Sequence, residues 1–178
     1  SKIVYGDVIT DNLVPNSYSP VAANTYSVPT SSGSGGWNFS NIRVLNVFLD
    51  NYNKANVSED IKHLYLAEVY FFKAWDYFEK VKLFGDVPWI NKELNIDSEE
   101  LYGPRTPRAV VMDSVIQILD KAIEWLPTKG KEQNGRINKN AALHLKARIG
   151  LHEGTFRKYH KIADGEKFLR YAADACEK

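Results

Sequence analysis

Leu83-Phe84-Gly85-Asp86-Val87-Pro88 ends the longest helix that the sequence predicts, and it decides the class of fold. Gly85 can adopt the left-handed conformation that commonly closes a helix. The residue before a proline avoids the helical region, so the chain from Asp86 to Pro88 is predicted to be extended. The stretch therefore predicts a long helix with a sharp stop.

The helix before this stop is predicted to begin after Ser58. Ser58 can cap it, and Glu59 and Asp60 lie in the first turn, where the helix dipole favours negative charge. Apolar residues then occur almost all round the helix: Ile61, Leu64, Tyr65, Val69, Phe71, Phe72, Trp75, Phe78 and Val81. A helix this apolar is predicted to be buried on more than one side, with its aromatic residues packed in the core.

Two further helices flank the long one in the sequence. The earlier helix is predicted to follow a cap at Asn38 or Ser40. The later helix is predicted to begin with Thr106 as its cap and Pro107 as its first residue, because proline suits the first helical position.

The C-terminal part predicts a pair of helices. Asn138 or Asn140 starts the first, Gly154 is predicted to end it, and the second starts at about Asp164. Cys176 falls in an alanine-rich helical pattern and is predicted to be buried. Alanines at the crossing of two helices resemble a tetratricopeptide unit. We therefore predict an all-α fold of tetratricopeptide-like helical hairpins with an irregular N-terminal loop region.

The first part of the chain differs in composition from the rest. Residues 1–36 contain Pro15, Pro20, Pro29 and a glycine- and serine-rich run, so we predict an irregular loop region there. Residues 37–178 form the predicted helical portion. Because the chain begins without methionine and ends within a predicted helix, we expect a piece of a longer protein, with any signal or lipid anchor outside it.

Composition excludes several classes of partner. Hydrophobic residues make up 44% of the 178 residues and charged residues 25%, which is enough for a globular core. The formal net charge of +1 gives no electrostatic reason to expect nucleic acid or an anionic membrane surface. No stretch approaches the length of a membrane span. A single cysteine allows no internal disulfide and no thiolate metal cluster.

The sequence contains no strong catalytic or metal-binding motif. His144 and His152 could share a helix face, but the second histidine of the zinc-protease motif is missing, so we expect neither a metal nor another cofactor. Asp76 and Glu79 lie three residues apart on the long helix, as paired carboxylates of a glycosidase could. Neighbouring lysines favour solvated ion pairs instead. We expect a protein that is not an enzyme.

Several stretches, taken in order, resemble the SusD/RagB family of outer-membrane nutrient-binding lipoproteins. Residues 37–49 are similar to the first helix of that family, and residues 67–90, including Lys82-Leu83-Phe84-Gly85-Asp86-Val87-Pro88-Trp89-Ile90, resemble its best signature. The other matching stretches are Arg105-Thr106-Pro107-Arg108, residues 135–142 and residues 147–160. One departure is Glu68-Val69, where the family usually has arginine, so a role for that arginine does not carry over.

The resemblance implies a surface protein of Bacteroidota-type bacteria that is held by a lipid anchor outside this chain. It also implies a C-terminal half of the parent protein that is absent from this chain. It implies binding of oligosaccharide, or sometimes peptide, and delivery to a TonB-dependent transporter. The ligand-binding residues that we predict are loop residues with stacking or hydrogen-bonding groups: Asp11, Asn12, Tyr18, Tyr26 and Trp37. Two alternatives stay open, namely a helical-repeat adaptor that binds only protein and an all-helical glycoside hydrolase that uses Asp76 and Glu79.

Overall fold

The computed structural model describes residue 20, residues 23–31 and residues 35–178. Its contacts divide the chain into two compact units, Ser1–Asn38 and Phe39–Lys178. The described part of the first unit is irregular, and the Thr25 backbone amide donates a hydrogen bond of 2.8 Å to the carbonyl oxygen of Pro20. The division into a loop region at 1–36 and a helical portion at 37–178 stays a prediction.

Five α-helices make up the second unit. They are α1 (Ser40–Asn51), α2 (Glu59–Phe84), α3 (Arg108–Trp125), α4 (Lys139–Tyr159) and α5 (Gly165–Cys176), with short 3-10 turns at Tyr52–Lys54 and Glu99–Leu101. The most extensive packing joins α4 to α5, followed by α2 to α3. Extended pairing within the described residues is limited to one bridge between Val87 and Thr106. The prediction of an all-α fold of helical hairpins is confirmed. None of these helices is long and apolar enough to cross a membrane.

The stop of α2 is local in origin and matches the prediction. Gly85 has a φ of 69°, and its amide donates a 2.9 Å hydrogen bond to the Val81 carbonyl oxygen. A residue with a side chain is strained at this φ, which explains the glycine. The fully buried Val87 then pairs with Thr106 through a 3.1 Å hydrogen bond from the Thr106 amide. The chain after α2 is thereby joined to the start of α3.

The helix caps agree only partly with the predictions. Asn138 caps α4 as predicted, since its side-chain oxygen accepts a 3.1 Å hydrogen bond from the Ala141 amide. The predicted cap at Thr106 is wrong, because α3 begins at Arg108 and the Thr106 hydroxyl accepts instead from the Trp89 amide at 3.1 Å. At the start of α1 the cap position is Phe39, which provides no side-chain cap.

The predicted end of α4 at Gly154 is also wrong, because the helix continues to Tyr159. The glycine serves close packing instead: a Cβ atom on Gly154 would lie 2.7 Å from Leu169 Cγ of α5. A Cβ atom on Gly150 would lie 2.6 Å from the Phe168 carbonyl oxygen. Glycine at these two positions therefore lets α5 approach α4 almost to backbone contact.

The burial of α2 departs from its hydrophobic pattern. Phe71 and Phe78 are buried as predicted, at 3% and 2% exposure, but Phe72 and Trp75 are exposed at 48% and 44%. The prediction that all four pack in the core is therefore wrong for two of them. Lys73, by contrast, is buried on α2. Its ammonium can be buried because Asn46 of α1 and Asn91 of the segment after α2 accept its hydrogen bonds.

Glu68, at the departure from the family pattern, makes a side-chain pair with Arg136. The guanidinium Nε donates to Glu68 Oε1 at 2.7 Å, and Nη2 donates to the second carboxylate oxygen. The Arg136 guanidinium also lies 4.7 Å from the centre of the Tyr65 ring. This paired contact joins the segment before α4 to α2, so Glu68 has a structural role of its own in this chain.

Candidate functional site

All five predicted ligand-binding residues fall in the first unit. Asp11, Asn12 and Tyr18 lie outside the described residues. Tyr26 is 58% exposed in an irregular segment, and Trp37 is half-buried three residues before α1 begins. A role for these five residues in ligand binding stays a prediction. The two clefts described below lie in the second unit and are lined by other residues.

The segment that follows α2 is fastened to α1 by side-chain hydrogen bonds. Asn46 is fully buried, and its Nδ2 donates to the carbonyl oxygens of Ile90 at 3.1 Å and Lys92 at 3.0 Å. Arg43 Nη1 donates to the Leu94 carbonyl oxygen at 2.7 Å. Sequence reasoning missed Asn46, although its position one helical turn after Ile42 on the buried face of α1 was a usable signal.

Lys73 lies beneath the same segment. Its Nζ donates to Asn46 Oδ1 at 2.7 Å and to Asn91 Oδ1 at 3.2 Å, and lies 5.5 Å from the centre of the Trp89 ring. Burial lowers the pKa of the Lys73 ammonium to about 8, although the Asp50 carboxylate opposes the shift. The amide oxygens satisfy the donors of the ammonium but do not neutralise its charge.

A groove of about 720 Å³ opens between α1 and this segment, and we call it the α1 groove. Its apolar lining is mainly aliphatic: Ile42, Ile90, Leu94, Ile96 and Leu101. Phe39 is the one aromatic residue among its described lining residues, and the Lys80 ammonium lies 5.0 Å from the centre of that ring. Aliphatic walls without a free aromatic ring suit apolar side chains of a polypeptide better than a sugar ring.

A smaller cleft of about 230 Å³ lies between α2 and α4, and we call it the Trp75 cleft. Buried apolar residues and the half-exposed Trp75 provide its apolar surface, and Glu79, His144 and Arg148 contribute polar groups. Its lining residues are Phe71, Trp75, Phe78, Glu79, Ala141, His144, Leu145 and Arg148. The sequence pattern gave no indication that these residues of α2 and α4 lie side by side.

The paired carboxylates of α2 are each held by a lysine. Asp76 Oδ2 lies 3.3 Å from Lys80 Nζ, and Glu79 Oε1 accepts from Lys82 Nζ at 2.7 Å. A glycosidase needs one carboxyl group in an apolar setting so that it keeps its proton near neutral pH. Each carboxylate instead forms an ion pair with a lysine on the same helix, so this arrangement does not favour glycoside hydrolysis.

The histidines do not assemble a metal site within the described ranges, where no group of three His, Cys, Asp or Glu side chains could hold an ion. The His152 ring lies edge-on to Phe78, with ring centres 5.3 Å apart. Burial lowers the pKa of His152, and the nearby charge of Arg108 adds to this effect. Both effects favour the neutral form of His152.

Glu153 is a buried acid that the sequence analysis did not single out. Its exposure is 1%, and its two oxygens pair with Arg157 Nε at 2.9 Å and with Arg108 Nη2 at 2.5 Å. Arg157 also donates to the Ala109 carbonyl oxygen at 3.3 Å. The cluster joins α3 to α4, so we assign it a role in holding these two helices together. The spacing of four residues between Glu153 and Arg157 was the available sequence signal.

Comparison with known proteins places the chain among SusD-like sequences. It matches the SusD-like_3 family, described as "Starch-binding associating with outer membrane", over residues 4–151. SusD-like protein P2 of Formosa agariphila is 32% identical over 117 residues, which are 66% of this chain and 23% of that protein.

Solved structures with the same fold include a SusD-like protein from Bacteroides fragilis, with 28% sequence identity and a TM-score of 0.64 over 76% of this chain and 24% of that chain. A laminarin-binding SusD-like protein has 24% identity and a TM-score of 0.61 over 75% of this chain and 26% of that chain. The chain spans about a quarter of the length of the relatives described here.

Proposed function

The chain belongs to the SusD-like family, and on this premise we propose that the protein carrying it captures oligosaccharide at the bacterial cell surface without cleaving it. The resemblance drawn from the sequence is confirmed by the family match. The observation that carries the proposal is that this match extends over residues 4–151, which include most of the predicted loop region and most of the helices. A laminarin-binding protein that shares the fold adds support for a glycan as the ligand.

The proposal has a membrane and a transporter component. We propose that a lipid anchor outside this chain holds the protein at the outer membrane, and that the bound oligosaccharide is passed to a TonB-dependent transporter. Loops on a rigid helical scaffold are a common place for ligand-binding residues. We therefore retain Asp11, Asn12, Tyr18, Tyr26 and Trp37 as proposed ligand contacts.

Non-catalytic capture is supported by the setting of the carboxylates. Asp76 and Glu79 are the pair that a helical glycosidase would use, and a lysine is bound to each of them. Binding without turnover therefore agrees better with the charges on α2 than hydrolysis does.

The experiment that tests the proposal uses the complete protein and a panel of neutral and acidic oligosaccharides. Binding is measured by calorimetry, and new reducing ends are measured after long incubation. We expect binding of at least one oligosaccharide with no release of sugar. Absence of binding to any glycan or peptide contradicts capture. Sugar release that disappears in Asp76→Asn supports the hydrolase instead.

A protein-binding adaptor is the second candidate, and the aliphatic α1 groove is the observation that favours it. Ile96 on the rim of this groove is 84% exposed, so Ile96→Asp changes the groove with little cost to folding. The adaptor predicts that the complete protein binds no glycan and that it binds a purified protein partner which Ile96→Asp no longer retains.

A further inference from the structure

We infer that the Trp75 cleft binds one pyranose ring of the oligosaccharide, stacked on the indole of Trp75. This inference rests on the proposed function and adds a sugar subsite on the helices, made of residues other than the predicted loop contacts. The cleft volume of about 230 Å³ corresponds to the space of roughly eight water molecules, which suits one sugar ring.

The aromatic platform is the first part of the argument. Trp75 is 44% exposed, and its ring contact in the described part of the chain is an edge contact with Phe71, with ring centres 5.9 Å apart and planes at 83°. No described ring stacks parallel to the indole. The apolar C–H face of a pyranose can pack on such a ring, and burial of both surfaces is favourable.

A rigid floor supports the platform. Phe71, Phe78 and Leu145 are 3%, 2% and 6% exposed, and they line the cleft from two different helices. Packed core residues hold their positions, so Trp75 is presented on a preformed surface. A preformed surface loses less conformational entropy on binding than a mobile loop does.

Polar groups at the rim of the cleft can orient a bound sugar. His144 and Arg148 lie four residues apart on α4 and are both exposed, so they lie on one face of the helix. Within the described residues the side chain of neither makes a hydrogen bond or an ion pair. Glu79 uses Oε1 for Lys82, which leaves Oε2 as an acceptor. Together these groups provide donors and an acceptor for sugar hydroxyls around an apolar floor.

The charge of the rim indicates which sugars are preferred. Lys82 balances Glu79 at 2.7 Å, whereas the Arg148 guanidinium has no carboxylate partner among the described residues. A guanidinium can bind a carboxylate through two parallel hydrogen bonds. We therefore expect a pyranose that carries a carboxylate, a uronate, to bind more tightly than the matching neutral sugar. The α1 groove lacks this combination of a free aromatic ring and unpaired polar groups.

The test measures affinities of the complete protein for neutral oligosaccharides and for matched uronate oligosaccharides by calorimetry. Trp75→Ala is compared with Phe72→Ala, a matched control on the same helix with similar exposure that does not line the cleft. We expect Trp75→Ala to weaken binding about tenfold or more and Phe72→Ala to change it less than about twofold. Arg148→Gln is expected to abolish the preference for the uronate while leaving the affinity for the neutral sugar within about twofold.

A variant on α4 shows whether weaker binding comes from damage to the cleft or from unfolding of the protein. His144 is exposed and unpaired in the described structure, so His144→Ala should keep the wild-type circular dichroism and unfolding midpoint. We expect it to weaken binding severalfold. If Trp75→Ala and His144→Ala both bind as the wild type does, the subsite is refuted while the proposed function stands.

Two other outcomes also overturn the inference. Equal losses of affinity in Trp75→Ala and Phe72→Ala would mean that the exposed surface of α2, not the cleft, binds the sugar. Acrylamide quenching of tryptophan emission that is the same in the wild type and in Trp75→Phe would mean that another part of the complete protein covers Trp75. Failure of the wild-type protein to bind any glycan refutes the proposed function itself, and the subsite with it.

Discussion

The Asp86 carboxylate accepts a hydrogen bond of 2.7 Å from the backbone amide of Arg108, so the residue that follows the stop of α2 caps the start of α3. The signature from Gly85 to Pro88 thus combines two functions in four residues. Gly85 ends one helix, and Asp86 satisfies an unpaired amide at the beginning of the next, where a negative charge also suits the helix dipole.

Replacement of Asp86 should therefore destabilise the helical unit. We expect Asp86→Ala to lower the free energy of unfolding by about 1 kcal/mol, because the amide of Arg108 loses its acceptor. Asp86→Asn should retain most of the stability, since an amide oxygen can still accept. Urea unfolding monitored by circular dichroism measures the change. Asp97→Ala, an exposed loop aspartate, is the control, and an equal loss in both variants would contradict the cap.

Lys73 should make stability depend on pH. Its pKa is about 8 in the folded protein against an ordinary value of 10.5, so the unfolded chain binds more protons between these values. The free energy of unfolding should therefore rise as the pH increases from 8 towards 10.5. We expect the free energy of unfolding of the wild type to rise by about 1–3 kcal/mol relative to that of Lys73→Met between pH 7 and pH 10. Parallel pH profiles for the two proteins would show that the buried ammonium is not the cause.

Gly150 should not tolerate a side chain. A Cβ atom there would lie 2.6 Å from the Phe168 carbonyl oxygen and 2.8 Å from the Ala172 amide nitrogen, and backbone atoms cannot move aside cheaply. Overpacking costs about 1–3 kcal/mol, and a contact with backbone atoms favours the upper part of this range, which exceeds the gain of about 1 kcal/mol from alanine in a helix. We expect Gly150→Ala to lower the thermal midpoint. Gly103→Ala, whose Cβ atom would have 3.6 Å to the nearest atom, should change it little.

Removal of Glu153 should be the most damaging of the four changes. Glu153→Ala removes the nearest carboxylate of the 2%-exposed Arg157 and leaves it with Asp164 at 4.0 Å, and a buried charge that loses its partner costs about 3–5 kcal/mol. The contrasting variant is Glu93→Ala, because the Glu93–Arg43 pair is well exposed and such pairs contribute less than about 1 kcal/mol. Denaturant unfolding compares the two variants. Similar losses would mean that the Glu153 cluster contributes no more than a surface pair.

The sequence predicts those features of the fold that depend on neighbouring residues. The stop at Gly85 and the cap at Asn138 need only a few residues of local chain, and both are confirmed. The exposure of Trp75 and the continuation of α4 through Gly154 depend on what packs against each helix. No local pattern contains that information, so both were predicted wrongly.

The candidate sites show the same difference between features set by local sequence and features set by packing between helices. The loop contacts Asp11, Asn12, Tyr18, Tyr26 and Trp37 rest on a predicted loop position and on side chains that can stack or hydrogen-bond, and they stay predictions. The Trp75 cleft joins residues of α2 to His144 and Arg148 of α4. Periodicity places each of these residues on a helix but does not specify which helix faces will be neighbours, so the cleft could be found only from the structure.

The buried amine of Lys73 also provides an internal reporter of local opening. Lys73 is only 2% exposed, so the closed protein shields its amine from reagents in solution, whereas the amine of a surface lysine is always accessible. Acylating reagents can reach it only when the segment containing Asn91 lifts from α1. The rate of Lys73 acylation followed by mass spectrometry therefore measures how often that segment detaches while the rest of the helices stay folded.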